Sequence, residues 1–344
     1  MKILILTKNY PPQLGGIEKY CGDLVCSLQK QNTIFLIKSW SRNQYLFSNK
    51  KKFPYFIFYY ISEFFRLGFF LFKTLTIWCV YAYKSDLIWS MDGSITFISF
   101  FLGYLFNKKT RVTLHGLDVS WNNHLYQFFL KNTLFYIDEI YVVSQSIKKY
   151  LSSFYLPNSH IHIEWHSLDK LNYPVPDIFS RKDFLSFYGV PHDKILLLSI
   201  WRFVEKKWFH WFIREVLPFL DASIFHYVLA GFWDMEEIYL QLAKSNSLNN
   251  ITFIGPIGDP IVKAKLYSSA DYFIMPNIPV MGDCEWFGIV LLEAYFYNLK
   301  IIASSVDGIK ESAPEGSILL PPEISTDWVL FLTSLWLSIT KHEW

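Results

Sequence analysis

Two glutamates, Glu285 and Glu293, stand eight residues apart after a short apolar run, Tyr272–Met275. The run predicts a β-strand, and Gly288 is a natural start for the helix that follows it. A helix start presents free N–H groups and a positive dipole end, which suit a diphosphate. If the helical register reached back to Glu285, the two side chains would lie about 80° apart around the helix. Both carboxylates could then border one cleft, one accepting hydrogen bonds from ribose hydroxyls and the other facing a sugar.

A basic pair, Arg202 and Lys207, follows another apolar run, Leu196–Ser199. Open α/β folds place their ligands at the carboxyl ends of parallel strands. Two cations there can neutralise a departing diphosphate, each through charge-assisted hydrogen bonds of about 1.5–3 kcal/mol. Taken alone, such a pair in a loop is more often solvated surface.

Two further positions in the first half of the chain could serve a ligand. His115 ends the apolar run Arg111–Leu114 and precedes a glycine, so it is either a packing residue or part of an active site. Gly15 and Gly16 lie between the first predicted strand and the first helix, where a backbone without Cβ atoms can approach a phosphate. They do not form a Gly-x-Gly-x-x-Gly motif, so a nicotinamide or flavin site is not supported, and alone they are more often a structural turn.

The elements that must position these residues alternate between strand and helix along the whole chain. Predicted strands lie at 2–7, 33–37, 86–89, 111–114, 139–143, 194–198, 226–230, 251–254, 272–275 and 300–303. Such alternation is typical of parallel sheets flanked by helices. We therefore predict an α/β protein of two Rossmann-like domains, residues 1–170 and 171–344. The boundary should fall in the irregular stretch near Leu168–Asp177, where Tyr173–Pro176 resists both helix and strand.

Composition agrees with two folded domains in a reducing compartment. The 344 residues are 52% hydrophobic and 18% charged, which excludes a disordered chain. The net charge of +2 divides into +9 for residues 1–170 (19 Lys and Arg, 10 Asp and Glu) and −7 for residues 171–344 (13 and 20). The four cysteines have neither metal-site spacing nor the density of a secreted scaffold, and the first apolar run is too short for an export signal. No nucleic-acid partner is expected.

A segment from Lys50 to Tyr83 departs from this alternation, because a triple lysine precedes a stretch crowded with Phe, Tyr, Ile and Leu. Arg66 and Lys73 argue against a transmembrane helix, since a central charge costs about 2.5–3.5 kcal/mol on insertion scales. Helices buried against the sheet and a helix in the membrane interface both remain open. With the +9 charge of the first half, we expect a cytoplasmic protein in peripheral contact with the anionic inner face of the membrane.

In order and spacing, these motifs resemble the retaining glycosyltransferases of family four, which have the GT-B fold. The most specific element is Glu285-x7-Glu293 within Phe287–Ala294; weaker ones are Gly15-Gly16-Ile17-Glu18, His115-Gly116, Ser144-Gln145-Ser146, Arg202 with Lys207, Leu229-Ala230-Gly231 and Ser269-Ala270-Asp271. The resemblance covers almost the whole chain. It implies that the second domain binds a nucleotide-sugar, the first binds the acceptor, and the two face each other across a cleft where the reaction occurs.

The resemblance also implies roles for individual residues. Glu293 would hold the nucleotide ribose, Glu285 would contact the donor sugar, and His115 would face that sugar near its 6-position. Arg202 and Lys207 would bind the diphosphate. The donor-binding backbone would comprise Gly15, Gly16, Gly231, Gly288, Ile289 and Val290.

Three tryptophans depart from the family pattern, because Trp201, Trp208 and Trp286 stand where the family usually has glycine. Phe232-Trp233 likewise replaces a second glycine after Gly231. Each ring either points into the aromatic-rich core or reshapes the donor pocket.

We therefore expect a retaining enzyme that moves a hexose-type sugar from a nucleoside diphosphate to a saccharide or lipid-linked saccharide in surface polysaccharide or glycolipid synthesis. No Asp-x-Asp motif stands where a metal-bound diphosphate would need one, so neither a metal nor a further cofactor is expected. Two alternatives stay open. One is an epimerase or hydrolase of nucleotide-sugars with the same fold. The other is a catalytically silent, membrane-associated partner of a polysaccharide-assembly complex.

Overall fold

The computed structural model describes residues 1–11, 15–38, 75–154, 156–157, 160–164, 173–201, 203, 207–231, 235–278 and 287–340. The chain divides into two compact units, Met1–Val143 with Ile147–Trp165, and Ser144–Ser146 with His166–Trp344. The predicted boundary between residues 170 and 171 falls in the stretch 165–172, outside the described residues. Each unit is built on one sheet.

The first unit contains a six-stranded parallel sheet with strand order β2-β1-β3-β4-β5-β6. Its strands are β1 (Lys2–Thr7), β2 (Thr33–Lys38), β3 (Leu87–Ser90), β4 (Lys109–Leu114), β5 (Glu139–Val142) and β6 (Ile161–Ile163). The central strands β1 and β3 are buried along almost their whole length, as expected of strands covered on both faces.

The helices of the first half end and begin at residues suited to those positions. They are α1 (Gly16–Gln29), α2 (residues 75–84), α3 (Thr96–Phe106), α4 (Leu117–Ser120), α5 (His124–Leu134) and α6 (Gln145–Leu151). Asn107 ends α3 in the left-handed conformation, which asparagine tolerates well. Asn123 begins α5, because its side chain accepts the Tyr126 N–H at 3.0 Å.

The second unit contains another six-stranded parallel sheet, with strand order β12-β11-β10-β7-β8-β9. Its strands are β7 (Ile195–Ile200), β8 (Phe225–Ala230), β9 (Ile251–Gly255), β10 (Tyr272–Met275), β11 (Lys300–Ser304) and β12 (Ile318–Leu320). Successive residues of β7 enter different cores, since Leu196 and Leu198 pack in one cluster and Leu197 packs in another. The sheet therefore separates two apolar layers.

The helices of the second unit cover both faces of its sheet. They are α7 (Arg181–Phe187), α8 (Phe209–Trp211), α9 (Glu236–Ser245), α10 (Pro260–Ser269), α11 (Ile289–Phe296), α12 (Asp307–Ser312) and α13 (Ser325–Thr340). A π turn (Phe212–Val216) and a 3-10 turn (Leu217–Phe219) extend α8, and Pro218 prevents the regular helix from continuing. Among the described helices, none is long and apolar enough to cross a membrane.

The prediction of two parallel sheets is confirmed. Every predicted strand is present within about two residues, whereas β6 and β12 were not predicted because three residues are too short to form a pattern. In both sheets the strand order reverses beside a central strand, between β1 and β3 and between β7 and β10. Such switch points are where open α/β sheets bind their ligands.

Candidate functional site

The switch point of the second sheet brings together two segments that are far apart in the sequence. Strand β10 pairs with β7 through Tyr272 with Leu197 and Phe273 with Leu198. The segment after β7 leads to Lys207, and the segment after β10 leads to α11 and Glu293. The segments that lead to Lys207 and to Glu293 therefore begin side by side at the carboxyl edge of this sheet. Arg202 and Glu285 lie outside the described residues.

Helix α11 begins at Ile289, with Gly288 as its capping residue. The helical register does not reach back through residues 287 and 288, so the condition for aligning Glu285 with Glu293 on one helix is not met. The Gly288 N–H donates to Ser312 Oγ at 3.0 Å and is thus used inside the protein. The first-turn amides of Ile289 and Val290 have no acceptor within the helix and form its donor-rich end.

Glu293 is a buried carboxylate with a cation and a phenol as partners. It is 1% exposed, and its Oε2 accepts hydrogen bonds from Lys263 Nζ and from the Tyr267 hydroxyl at 2.9 Å. Burial, followed by the charge of Glu293, raises the pKa of Tyr267 well above its usual value, so that hydroxyl keeps its proton and donates. The same two causes raise the pKa of Tyr297 to about 12.

Sequence reasoning missed the partners of Glu293. Lys263 and Tyr267 occupy adjacent turns on one side of α10, and both reach α11. Their i, i+4 spacing was the available signal, but it does not say which carboxylate they meet. A carboxylate held in this way is fixed in position before any ligand arrives, which suits a group that must accept hydrogen bonds from a ribose.

Lys207 lies against one of the tryptophans that depart from the family pattern. The residue is 1% exposed, and its ammonium lies 3.8 Å from the centre of the Trp201 ring. This is a close cation–π contact, worth about 2 kcal/mol when desolvated. The Trp208 ring stacks on Trp211 at 5.5 Å and so belongs to the core, while Trp286 lies outside the described residues.

Gly231 ends β8 where two backbone segments come unusually close. Its φ of 149° is rare for other residues, and a Cβ there would lie 1.9 Å from the Trp201 carbonyl oxygen. Its N–H donates to the Gly255 carbonyl at 2.8 Å. A glycine is therefore required here for packing between β7 and β8, independently of any donor contact.

In the first unit, His115 lies at the carboxyl end of β4 and is half-buried. Its Nε2 lies 3.0 Å from the Met91 carbonyl oxygen, which can only accept, so Nε2 carries the proton. The ring meets Tyr20 edge to face at 4.9 Å. These contacts place the imidazole beside the segment that follows β3.

Asp118 is another residue that sequence reasoning did not single out. Its Oδ1 accepts the N–H groups of His115 and Gly116 at 2.9 and 2.8 Å, and its Oδ2 accepts that of Gly93 at 2.9 Å. Burial raises the pKa of Asp118 to about 6, the charge of Asp92 adds to this, and the three amides oppose it. The Leu-His-Gly-Leu-Asp sequence gave little signal, because an aspartate in a turn usually accepts amides that follow it, whereas Asp118 accepts two amides that precede it.

The Gly15-Gly16 turn begins α1, as predicted from its place after β1. A Cβ on Gly15 would lie 2.0 Å from Glu18 Oε2, so the carboxylate of the first helical turn lies over this glycine. A negative side chain beside a helix start is itself stabilising. A phosphate at Gly15 and Gly16 would have to share this position with Glu18.

A cavity of about 320 Å³ opens at the opposite edge of the second sheet. Its lining includes the first residues of three strands, Ile195, Tyr272 and Lys300. Ligands of open α/β sheets bind beyond the carboxyl ends of strands, whereas this cavity is at the amino ends. We therefore place the candidate site at the other edge.

Comparison with known proteins shows which proteins this chain is similar to. Residues 194–336 match the family model of Glycosyl transferases group 1. An uncharacterized glycosyltransferase of Methanocaldococcus jannaschii is 24% identical over 256 residues, which are 72% of this chain and 62% of that protein. The amylovoran biosynthesis glycosyltransferase AmsK of Erwinia amylovora is 26% identical over 147 residues, which are 42% of this chain and 36% of that protein. The matches thus span less than two thirds of either relative.

The fold itself is matched over nearly the whole chain. The crystal structure of HepE from Anabaena in complex with UDP has a TM-score of 0.74 and 15% identity, and the match covers 99% of this chain and 91% of that one. Such a likeness at low identity establishes the fold. The predicted GT-B fold is confirmed.

Proposed function

We propose that this protein, whose residues 194–336 match the family model of Glycosyl transferases group 1, moves a hexose-type sugar from a nucleoside diphosphate to a saccharide or lipid-linked saccharide with retention of configuration. The observation that carries the proposal is the pairing of β7 with β10, from which the Lys207 segment and the α11 segment leave side by side. A helix start and a cation at one switch point suit a diphosphate. The UDP bound in the HepE crystals and the amylovoran biosynthesis for which AmsK is named agree with this choice.

On the donor side, the proposal assigns the ribose to Glu293 and the diphosphate to Lys207, Arg202 and the amides of Ile289 and Val290. Glu285 would contact the sugar. Fixed donors and cations stabilise charge that develops on a leaving group without having to reorganise. The tryptophan contact of Lys207 would restrict its ammonium to one approach.

The proposed step exchanges one bond at the anomeric carbon. The bond to the diphosphate oxygen breaks, and a bond to an acceptor hydroxyl oxygen forms on the same face of the sugar. The hydroxyl proton passes to the departing phosphate oxygen, so the products are the glycoside and the nucleoside diphosphate. No covalent intermediate and no cofactor enter this balance. His115 would hold the sugar near its 6-position while the bonds exchange.

A panel of nucleotide-sugars tests the proposal, with release of nucleoside diphosphate measured in the presence and absence of saccharide acceptors. We expect one donor to be consumed only when an acceptor is present, and the product to keep the donor's configuration. Glu293→Gln should reduce transfer at least tenfold, whereas Glu237→Gln, the same change on an exposed helix, should not. Release without acceptor would favour a hydrolase, sugar interconversion an epimerase, and absence of any donor binding a silent partner.

A chelator tests the expectation that the diphosphate is neutralised by the protein. Transfer should continue in excess EDTA, because the cations of Lys207 and Arg202 and the start of α11 take the place of a divalent ion in this proposal. Transfer that stops in chelator and returns only with magnesium would contradict this part of the proposal.

A surface of the first unit supports the further proposal of peripheral contact with an anionic membrane on the cytoplasmic side. Helices α3 and α5 contact each other and present apolar side chains outward, each at least half exposed. We call this surface the aromatic face; it comprises Phe97, Phe101, Tyr104, Leu105, Leu125, Phe128, Phe129, Phe135 and Tyr136. The spacing of Phe97, Phe101 and Tyr104 puts them on one stripe of α3. Exposed apolar area of this kind marks an interaction site.

The charge around the aromatic face favours anionic lipid as its partner. Helix α3 contains no charged residue, and the one charged residue of α5 is Lys131. Lys108 and Lys109 follow α3, and residues 1–170 carry a net charge of +9. Each lysine near an anionic surface contributes about 1 kcal/mol to binding. Aromatic rings surrounded by lysines suit the interface of a bilayer.

Sedimentation of the full chain with vesicles tests this contact. Binding to vesicles with anionic lipid should exceed binding to neutral ones, and Phe101→Ser with Phe128→Ser should reduce it about tenfold. Phe187→Ser is the matched control, because Phe187 is 81% exposed in the other unit. The membrane prediction began from Lys50, Lys51 and Lys52, which lie outside the described residues. Changing these three lysines to Glu is a second variant for the same vesicle measurement. Unchanged binding in the double serine variant would overturn the role of the aromatic face.

A further inference from the structure

One buried carboxylate, Asp118, joins two loops of the first unit at the edge of the sheet. The Gly93 N–H comes from the segment after β3, whereas the His115 and Gly116 N–H groups come from the segment after β4. All three donors are backbone groups, so the carboxylate fixes the course of the chain itself.

The loops around Asp118 have little room to move. The Tyr126 hydroxyl donates to the Asp118 carbonyl at 2.5 Å, and a Cβ on Gly93 would lie 2.8 Å from that hydroxyl. His115 crosses the same gap in the other direction, because its Nε2 donates to the Met91 carbonyl of the segment after β3. A change at Asp118 must therefore reach the imidazole.

We propose that Asp118 is the positioning residue of His115, holding the imidazole in its hydrogen bond to Met91, and that protonation of the Asp118 carboxylate loosens this arrangement. The inference rests on the proposed function, in which His115 faces the donor sugar. Asp118 touches no reacting atom in this account. It acts through the two loops that it ties together.

The surroundings of Asp118 make its charge sensitive to pH near neutrality. The titratable and charged groups facing it are Asp92, His115 and Tyr126, and Asp92 in turn pairs with Lys8 at 3.5 Å. Burial, with Asp92, raises the pKa of Asp118 to about 6 despite the three amides. Below that pH the protonated oxygen accepts hydrogen bonds less well, and the amides lose part of their anchor.

Amide chemical shifts of the full chain test the positioning role without any substrate. The Gly93, His115 and Gly116 amide protons should move together with one midpoint near pH 6. In Asp118→Asn this joint movement should disappear. Asp138→Asn is the matched control, because Asp138 accepts the Thr110 amide at 2.7 Å at the other end of β4. Amides that titrate separately, or not at all, in the unmodified protein would overturn the proposal.

A double-mutant cycle tests whether Asp118 acts through His115. Asp118→Asn should lower kcat about tenfold to a hundredfold, as a small misplacement does, with a smaller change in donor KM. In a His115→Ala background the same change should cost no more than about twofold. Equal losses in both backgrounds would contradict the proposal. If His115→Ala transfers sugar normally, the role of His115 in the proposed function fails, while the amide titration still decides what Asp118 does.

Discussion

The two units each bury a carboxylate near the carboxyl edge of a parallel sheet, and they stabilise it in different ways. Glu293 is held by a cation and a phenol, Lys263 and Tyr267, both from a neighbouring helix. Asp118 instead accepts three backbone amides. A cation balances the whole charge, whereas amide dipoles balance part of it. The difference separates a carboxylate that has a counter-charge from one whose charge changes near neutral pH.

The largest expected effect comes from removing the cation of Glu293. Lys263→Met leaves a buried carboxylate without its counter-charge and should lower the free energy of unfolding by about 3 kcal/mol, the low end of such losses because Lys263 is partly exposed. The loss should be smaller at pH 5 than at pH 7, because the isolated carboxyl can then take up a proton. Urea unfolding measures both. Lys265→Met on the same helix is the control and should cost less than about 1 kcal/mol.

The stabilising contribution of Asp118 should grow as the pH is lowered, whereas the loss caused by Lys263→Met should shrink. Its pKa is raised from 3.8 to about 6, so its stabilising contribution is fully present below pH 4 and is lost as the pH rises through 6. The unfolding free energy of the unmodified protein, relative to Asp118→Asn, should therefore grow by up to about 3 kcal/mol between pH 7 and pH 4. Urea titrations at four pH values measure this. A difference that does not vary with pH would contradict the raised pKa of Asp118.

The smallest expected loss of stability comes from removing the Tyr267 hydroxyl. Tyr267→Phe removes one hydrogen bond to an ionised acceptor and should cost about 1.5 kcal/mol, since Lys263 remains to hold Glu293. Tyr239→Phe is a control of the same chemistry at a buried tyrosine in the other core layer. A loss as large as that of Lys263→Met would mean that the Tyr267 hydroxyl, and not the Lys263 ammonium, is the main stabilising partner of Glu293.

More of the fold than of the candidate site could be predicted from the sequence. Strands such as Leu196–Ser199 could be predicted because a strand buried on both faces is a continuous run of apolar residues, which the sequence shows directly. The partners of Glu293 could not, since Lys263 reaches it from thirty residues away across a helix contact. The condition under which Glu285 and Glu293 would share one helix is not met, because α11 begins only at Ile289. Tertiary pairing, which leaves no periodic pattern, decides such details.

The central claim is that the segments after β7 and β10 bind a nucleoside diphosphate. Isothermal titration of the full chain with the common nucleoside diphosphates tests it most directly, with Lys207→Met compared against Lys244→Met, an exposed lysine of α9. The account predicts that one nucleoside diphosphate binds without added metal and that Lys207→Met weakens this binding about tenfold or more, while Lys244→Met leaves it unchanged. Equal binding by both variants, or no binding of any nucleoside diphosphate by the unmodified protein, would contradict it.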